Sequence, residues 1–178
     1  MRHFRIFVLA LLTAVSPPGP EAAAAPEGSP PVRTKGPATG LPLPRFVSLK
    51  FDKVHLRRGP GFRHRIDWDY VRRGGMPVEI IAESEHWRRI RDAEGTEGWV
   101  HASQLSDRRG VIVTGDGPSV LRRRPDPAAA PVALVEPGLI GGIRKCSPAW
   151  CRITVQGYTG WLQRSVLWGL YPHEEGID

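Results

Sequence analysis

The chain is poor in the residues that most often carry chemistry. Its 178 residues include only two cysteines, Cys146 and Cys151, and no run matches a glycine-rich phosphate loop or a G-x-S-x-G nucleophile elbow. With no second cysteine pair and no histidine near them, the cysteines leave a zinc site two ligands short. A cysteine nucleophile lacks a base, because the histidines lie in the other half of the sequence or in the tail at His173. Asp67 with Asp69, and Asp92 with Glu94, are the nearest approach to paired carboxylates. Such spacing is ordinary on the surface of strands and turns, so the sequence predicts a protein that is not an enzyme and holds no cofactor or metal.

Lysine is also scarce, with four residues against 21 arginines, and the formal net charge is +7. Arginines cluster at 57–58, 63–65, 72–73, 88–91, 108–109 and 122–124. Interleaved with aromatics, this composition suits nucleic acid. The N-terminus points elsewhere. Arg2, His3 and Arg5 precede an apolar run from Ile6 to Val15, broken only by Thr13, and Glu21-Ala22-Ala23-Ala24-Ala25 offers a small-residue cleavage site. This pattern predicts a cleavable signal peptide over residues 1–25 and a periplasmic or secreted protein. Ten apolar residues in a helix span about 15 Å, half a bilayer core, so no stable transmembrane anchor is expected after cleavage. Export removes nucleic acid from the expected partners. It leaves peptide-stem carboxylates, phosphorylated lipid headgroups and acidic proteins as targets for a chain of net charge +6 once Arg2, Arg5 and Glu21 are lost. A basic surface that is simply solvated fits the same composition.

Residues 26–44, rich in proline and glycine, hold too few large apolar side chains to offset their ordering entropy and are expected to form a disordered linker. Beyond them the chain states one pattern twice, at an offset of 62 to 65 residues. Val54-His55-Leu56-Arg57-Arg58-Gly59-Pro60, Trp87, Gly98-Trp99-Val100 and Leu105 are answered by Ser119-Val120-Leu121-Arg122-Arg123-Arg124-Pro125, Trp150, Gly160-Trp161-Leu162 and Leu167. A repeat of this length suits a complete small domain. Short β-like runs at 77–82, 87–91, 141–146 and 151–155 alternate with turn residues, and no apolar stripe at helical spacing is present. Five or six short strands in about 60 residues predict a small all-β barrel.

The order Val54-x-Leu56-Arg57-x-Gly59-Pro60, Gly74-Gly75, Pro77-Val78-x-Ile80, Trp87 and Gly98-Trp99-Val100 resembles the bacterial SH3-like domain. The likeness covers about 45–172 and implies two tandem SH3-like barrels, at 45–108 and 109–172, followed by a short tail at 173–178. The second copy departs from the pattern, with Arg124 before Pro125 and a simple Pro127-Ala128-Ala129-Ala130-Pro131 loop. The family implies a non-catalytic binding module of the cell envelope that engages peptidoglycan or a peptidoglycan-associated partner. A structural adaptor within an envelope complex is the alternative. In SH3-like barrels the long loop after Gly59-Pro60-Gly61 forms one wall of the surface groove. Trp68, Tyr70, Trp87 and Arg57 are therefore the expected ligand residues, with aromatic faces on a glycan or peptide and the guanidinium on a carboxylate. Packing of Trp68 and Tyr70 beneath the loop is equally consistent with the residues.

Cys146 and Cys151 flank Ser147-Pro148-Ala149-Trp150, a tight-turn sequence. If 147 pairs with 150, the cysteines face each other at about 4.5 Å between Cα atoms, within reach of a disulfide. Closing so short a loop stabilises by about 2 kcal/mol on the chain-entropy estimate, and export favours oxidation. Aligning Trp87 with Trp150 places Glu83 and Arg88 where Cys146 and Cys151 stand, so a cross-strand ion pair is expected in the first copy. Trp99 and Trp161 are expected in the barrel framework, with Trp87 and Trp150 half exposed at the ends of the turns.

Overall fold

The structure, a computed structural model, describes residues 34–71, 73–172 and 174. The signal peptide expected at 1–25, the first part of the linker and most of the tail lie outside the described residues. The strands are β1 (Thr34–Lys35), β2 (Pro42–Leu43), β3 (Arg45–Leu49), β4 (Lys53–Arg57), β5 (Ile66–Val71), β6 (Pro77–Ser84), β7 (Trp87–Arg91), β8 (Glu97–His101) and β9 (Leu105–Ser106). They continue as β10 (Gly110–Val113), β11 (Ser119–Arg122), β12 (Pro131–Val135), β13 (Ile140–Cys146), β14 (Trp150–Val155), β15 (Tyr158–Gln163) and β16 (Leu167–Trp168). Single 3-10 turns at Ala102–Gln104 and Arg164–Val166 are the helical elements among the described residues.

The repeat in sequence is a repeat in topology. One seven-stranded sheet runs β5-β4-β8-β7-β6-β3-β9 and the other β12-β11-β15-β14-β13-β10-β16, the same order position by position. Even the irregularities recur. The β6–β7 register shifts between Ile80 and Ala82, the β13–β14 register between Ile143 and Lys145, and both first hairpins shift at the matching step, between Leu56 and Arg57 and between Leu121 and Arg122. At those points Arg57 pairs with Trp99 and Arg122 with Trp161, joining each first hairpin to the next strand of its sheet.

Alternation along the strands supplies the cores. In β4, Val54 and Leu56 are buried while Lys53, His55 and Arg57 are not, and β11 buries Leu121. Each such side chain contributes about 1.5–3 kcal/mol by leaving water. The recurring Gly-Trp pair has a steric cause. A Cβ on Gly98 would lie 2.5 Å from Leu56 Cγ, and one on Gly160 would lie 2.6 Å from Leu121 Cγ and 2.8 Å from the Arg122 carbonyl oxygen. Glycine lets β8 and β15 cross over the buried leucine of the first hairpin. The neighbouring tryptophans, Trp99 and Trp161, are only half-buried, whereas Trp87 and Trp150 are each 8% exposed. The expected division of roles between these two pairs of tryptophans is thus reversed.

The disulfide is formed. Cys146 and Cys151 are register partners with Cα atoms 4.1 Å apart, and Ser147 N donates to the Trp150 carbonyl at 2.7 Å. Glu83 and Arg88 are register partners at the matching position, with Arg88 Nε 3.5 Å from Glu83 Oε1. The pair is buried, though, and the carboxylate has nearer partners. Arg45 Nη2 donates to it at 2.7 Å, Thr39 Oγ1 at 2.8 Å, and the backbone N–H groups of Thr39 and Ala38 at 3.0 and 3.1 Å. Burial alone would raise the carboxyl pKa, but these bonds outweigh it and hold the group down at about 2.

That network corrects the linker expected at 26–44. From Thr34 onward the chain is structured: β1 pairs with β2, the turn between them wraps the Glu83 carboxylate, and Leu43 enters the first core. The low apolar content of this arm is offset by hydrogen bonds to a single buried anion.

The barrels are fused. Gly110 leaves no room for a Cβ against the Gly75 carbonyl, and Ile112 of β10 belongs to the core of the first barrel. Phe46 meets Trp168 edge-on at 5.0 Å and Tyr171 at 4.7 Å, and Tyr171 donates its hydroxyl to Glu79 at 2.7 Å. In the expected tail, Glu174 pairs with Arg109, which also donates to the Gly169 carbonyl at 2.9 Å.

Candidate functional site

Trp68 and Tyr70 do not stand in a loop, as the sequence suggested, but on β5, the edge strand of the first sheet. Between this edge and the second barrel lies a cleft of about 410 Å³, within the usual range of ligand sites. Trp68, 58% exposed, forms one wall; Asp92, Glu94 and Thr96 form another, with Arg73 on the rim and Met76 and Ile112 on the floor. Tyr70 is 4% exposed and donates to Asp92 Oδ2 at 3.0 Å. Burial, reinforced by the Asp92 charge, pushes the phenol pKa well above its ordinary value. Asp92 Oδ1 accepts from the N–H groups of Glu94 and Thr96, at 3.0 and 2.8 Å, and so shapes the β7–β8 turn. Tyr70 and Asp92 are therefore scaffold, and Trp68, Arg73, Glu94 and Thr96 are among the side chains that face solvent in the cleft. On the same strand Asp69 contacts Lys53 at 3.6 Å and is hydrogen-bonded to His55, which lowers its pKa.

Arg57 and Trp87, the other two expected ligand residues, lie elsewhere, around the loop at 58–65. Arg57 Nη1 donates to the carbonyls of His64 and Phe62, at 2.7 and 3.2 Å, so this guanidinium is a loop clamp. Arg122 does the same work in the second barrel, donating to the Ala129 carbonyl at 2.8 Å. Trp87 is buried beneath Phe62, whose ring meets it edge-on at 5.0 Å and stacks on His101 at 5.6 Å. Phe62 itself is 72% exposed and is the solvent-facing member of this cluster. Phe62 and His101 were missed as a pair because the contact depends on register: Trp87 pairs with His101 across β7 and β8. In the second barrel Trp150 pairs with Gln163 at this point, and Pro127 joins them along a shallow crevice of about 180 Å³.

Electrostatics divide the barrels more sharply than shape. In the first, Arg58 lies 2.7 Å from Asp67, Arg89 2.8 Å from Glu97, and Arg91 donates to Glu79 at 3.1 Å. At the corresponding positions of the second, Asp67, Glu97 and Glu79 are replaced by Val132, Thr159 and Gly142.

Two strongly bent seven-stranded sheets of identical order, each crossed over a buried leucine at a Gly-Trp step, define a tandem SH3-like barrel protein. The model of the bacterial SH3 domain matches residues 50–107 and again 116–169, and the chain belongs to that family. Among solved structures, NlpC2 from Trichomonas vaginalis is similar at 15% identity and a TM-score of 0.34, over 75% of this chain and 51% of that one. NlpC1 from the same organism is similar at 14% identity and a TM-score of 0.31, over 80% of this chain and 51% of that one. The chain thus spans about half the length of either structure. No curated protein matches it.

Proposed function

We propose that the protein is a non-catalytic binding module of the cell envelope, exported by its N-terminal segment, which engages peptidoglycan through the first barrel. The observation that carries this reading is the 410 Å³ cleft with Trp68 exposed along one wall. A glycan–peptide polymer presents apolar sugar faces, carboxylates and amide groups. Trp68 offers a face for a ring, Arg73 a partner for a carboxylate, and Glu94 and Thr96 acceptors for N–H and hydroxyl donors. The scaffold beneath them is fixed by the Tyr70–Asp92 hydrogen bond, so little ordering cost falls on binding. Membership of the bacterial SH3 domain family is consistent with this role.

The test is retention of the full chain on purified sacculi at moderate salt, alongside Trp68→Ala. Retention by the parent and its loss in the variant support the reading; no retention of the parent overturns it. The fused barrels favour a second reading, a rigid adaptor between envelope proteins with no glycan ligand. It predicts no retention on sacculi and capture of a protein partner from envelope extract that survives loss of Trp68. Export itself is tested by mass spectrometry of the periplasmic or secreted protein, which should begin near residue 25.

A further inference from the structure

The outer face of the second barrel carries a row that its sister neutralises. Lys145 pairs in register with Arg152, Arg152 with Trp161, and Trp161 with Arg122, so the four stand side by side on β13, β14, β15 and β11. At about 4.8 Å between strands the row is about 14 Å long. Lys145 and Arg152 are exposed and Trp161 is half-buried between two arginines. Arg122 spends one donor on the Ala129 carbonyl and keeps its charge.

In the first barrel the same row reads Ala82, Arg89, Trp99, Arg57, and Glu97 sits 2.8 Å from Arg89. In the second, Thr159 occupies the position of Glu97, and neither Lys145 nor Arg152 has an ion-pair partner among the described residues. Like charges directly opposite on neighbouring strands destabilise a sheet. The Lys145–Arg152 pair is therefore a local cost that the fold does not need, since the sister barrel manages with Ala82 at that place. Unrelieved costs of this kind mark functional surfaces.

We propose that this face is a docking surface for an anionic polysaccharide, with acidic groups along Lys145, Arg152 and Arg122 and a sugar ring on the indole of Trp161. Charge complementarity selects the anion. The single ring in a line of cations selects a glycan over a nucleic-acid strand, which stacks successive bases on several aromatics. The row, with its cations strung across four neighbouring strands, suits an extended polymer. The site is separate from the cleft at Trp68, and its success or failure is independent of peptidoglycan binding there.

Polygalacturonate serves as probe, with neutral dextran as the uncharged control, a thymidine oligonucleotide and phosphatidylglycerol vesicles as rival anions, all against the full chain at about 0.1 M salt. The expected result is binding to polygalacturonate and none to dextran. The double substitution Lys145→Gln/Arg152→Gln should weaken it about 25-fold, roughly fivefold for each charge. Arg58→Gln/Arg89→Gln, whose charges Asp67 and Glu97 already neutralise, should stay within about twofold of the parent. The double variant should also melt about 1–3 °C higher than the parent, because the like-charge pair is gone. No binding to polygalacturonate, equal losses from the two double variants, a lower melting temperature for Lys145→Gln/Arg152→Gln, or tighter binding to the oligonucleotide or the vesicles would each overturn the proposal.

Discussion

The two barrels solve one structural problem with different chemistry. Each must fix the hairpin that ends at Trp87 or Trp150. The second does so with the Cys146–Cys151 bond, and the first with a buried carboxylate that gathers Arg45, Arg88, Thr39 and the arm at 34–43. A covalent link is local, and Glu83 reaches 44 residues back along the chain to Thr39. The contrast shows how one fold can be held by a link that responds to redox state in one copy and by an anion that responds to pH in the other.

Breaking the anion should have the largest effect. Glu83 has a folded pKa of about 2 against about 4.3 in an unfolded chain, so its contribution is complete above pH 4.3 and is lost as pH falls through 2. Glu83→Gln is expected to cost about 3 kcal/mol at pH 7 in urea unfolding, with the difference from the parent vanishing near pH 2. Amide exchange should report the loss in β6, β7 and the arm, and much less in β13 and β14.

Breaking the covalent link is next. Cys146→Ser/Cys151→Ser, or reduction of the parent, should cost about 2 kcal/mol with little pH dependence below neutrality, and exchange should rise in β13 and β14 first. An equal pH dependence in the two variants would show that the barrels are not held differently.

The Gly-Trp crossings sharpen the comparison. Gly98→Ala meets the branch carbon and both methyls of the buried Leu56, whereas Gly160→Ala meets the buried Leu121 and also the Arg122 carbonyl, which cannot move without the strand. Overpacking costs of about 1–3 kcal/mol are expected for both from denaturant melts, the larger for Gly160→Ala. The smallest effect on stability is a gain: Lys145→Gln should stabilise by about 0.2–1 kcal/mol, while Arg89→Gln, which breaks a pair with Glu97, should be neutral or slightly destabilising.

Much of this was legible in the sequence because the chain contains its own alignment. The two small β domains and the Glu83–Arg88 register follow from laying one copy on the other, and the disulfide from the tight turn between its cysteines. The site was legible only in part. Trp68 and Tyr70 do meet in one cleft, but Trp87 sinks beneath Phe62, and Arg57 is spent on the loop carbonyls of His64 and Phe62. Side-chain depth at a strand end depends on which loop folds over it, and local pattern carries no record of that. The arm at 34–44 escaped for a related reason: its order comes from Glu83, distant in sequence, and a composition rich in proline and glycine shows only the entropy to be overcome.

The central claim is that the first barrel reads a ligand through its aromatic cleft while the second carries a separate cationic face. Trp68 is 58% exposed, so Trp68→Ala should leave stability within about 1 kcal/mol of the parent. The most direct measurement is therefore retention on sacculi of three proteins side by side: the parent, Trp68→Ala, and Lys145→Gln/Arg152→Gln. The account predicts loss for Trp68→Ala and near-parental retention for the double variant; loss for the double variant with Trp68→Ala unaffected would contradict it.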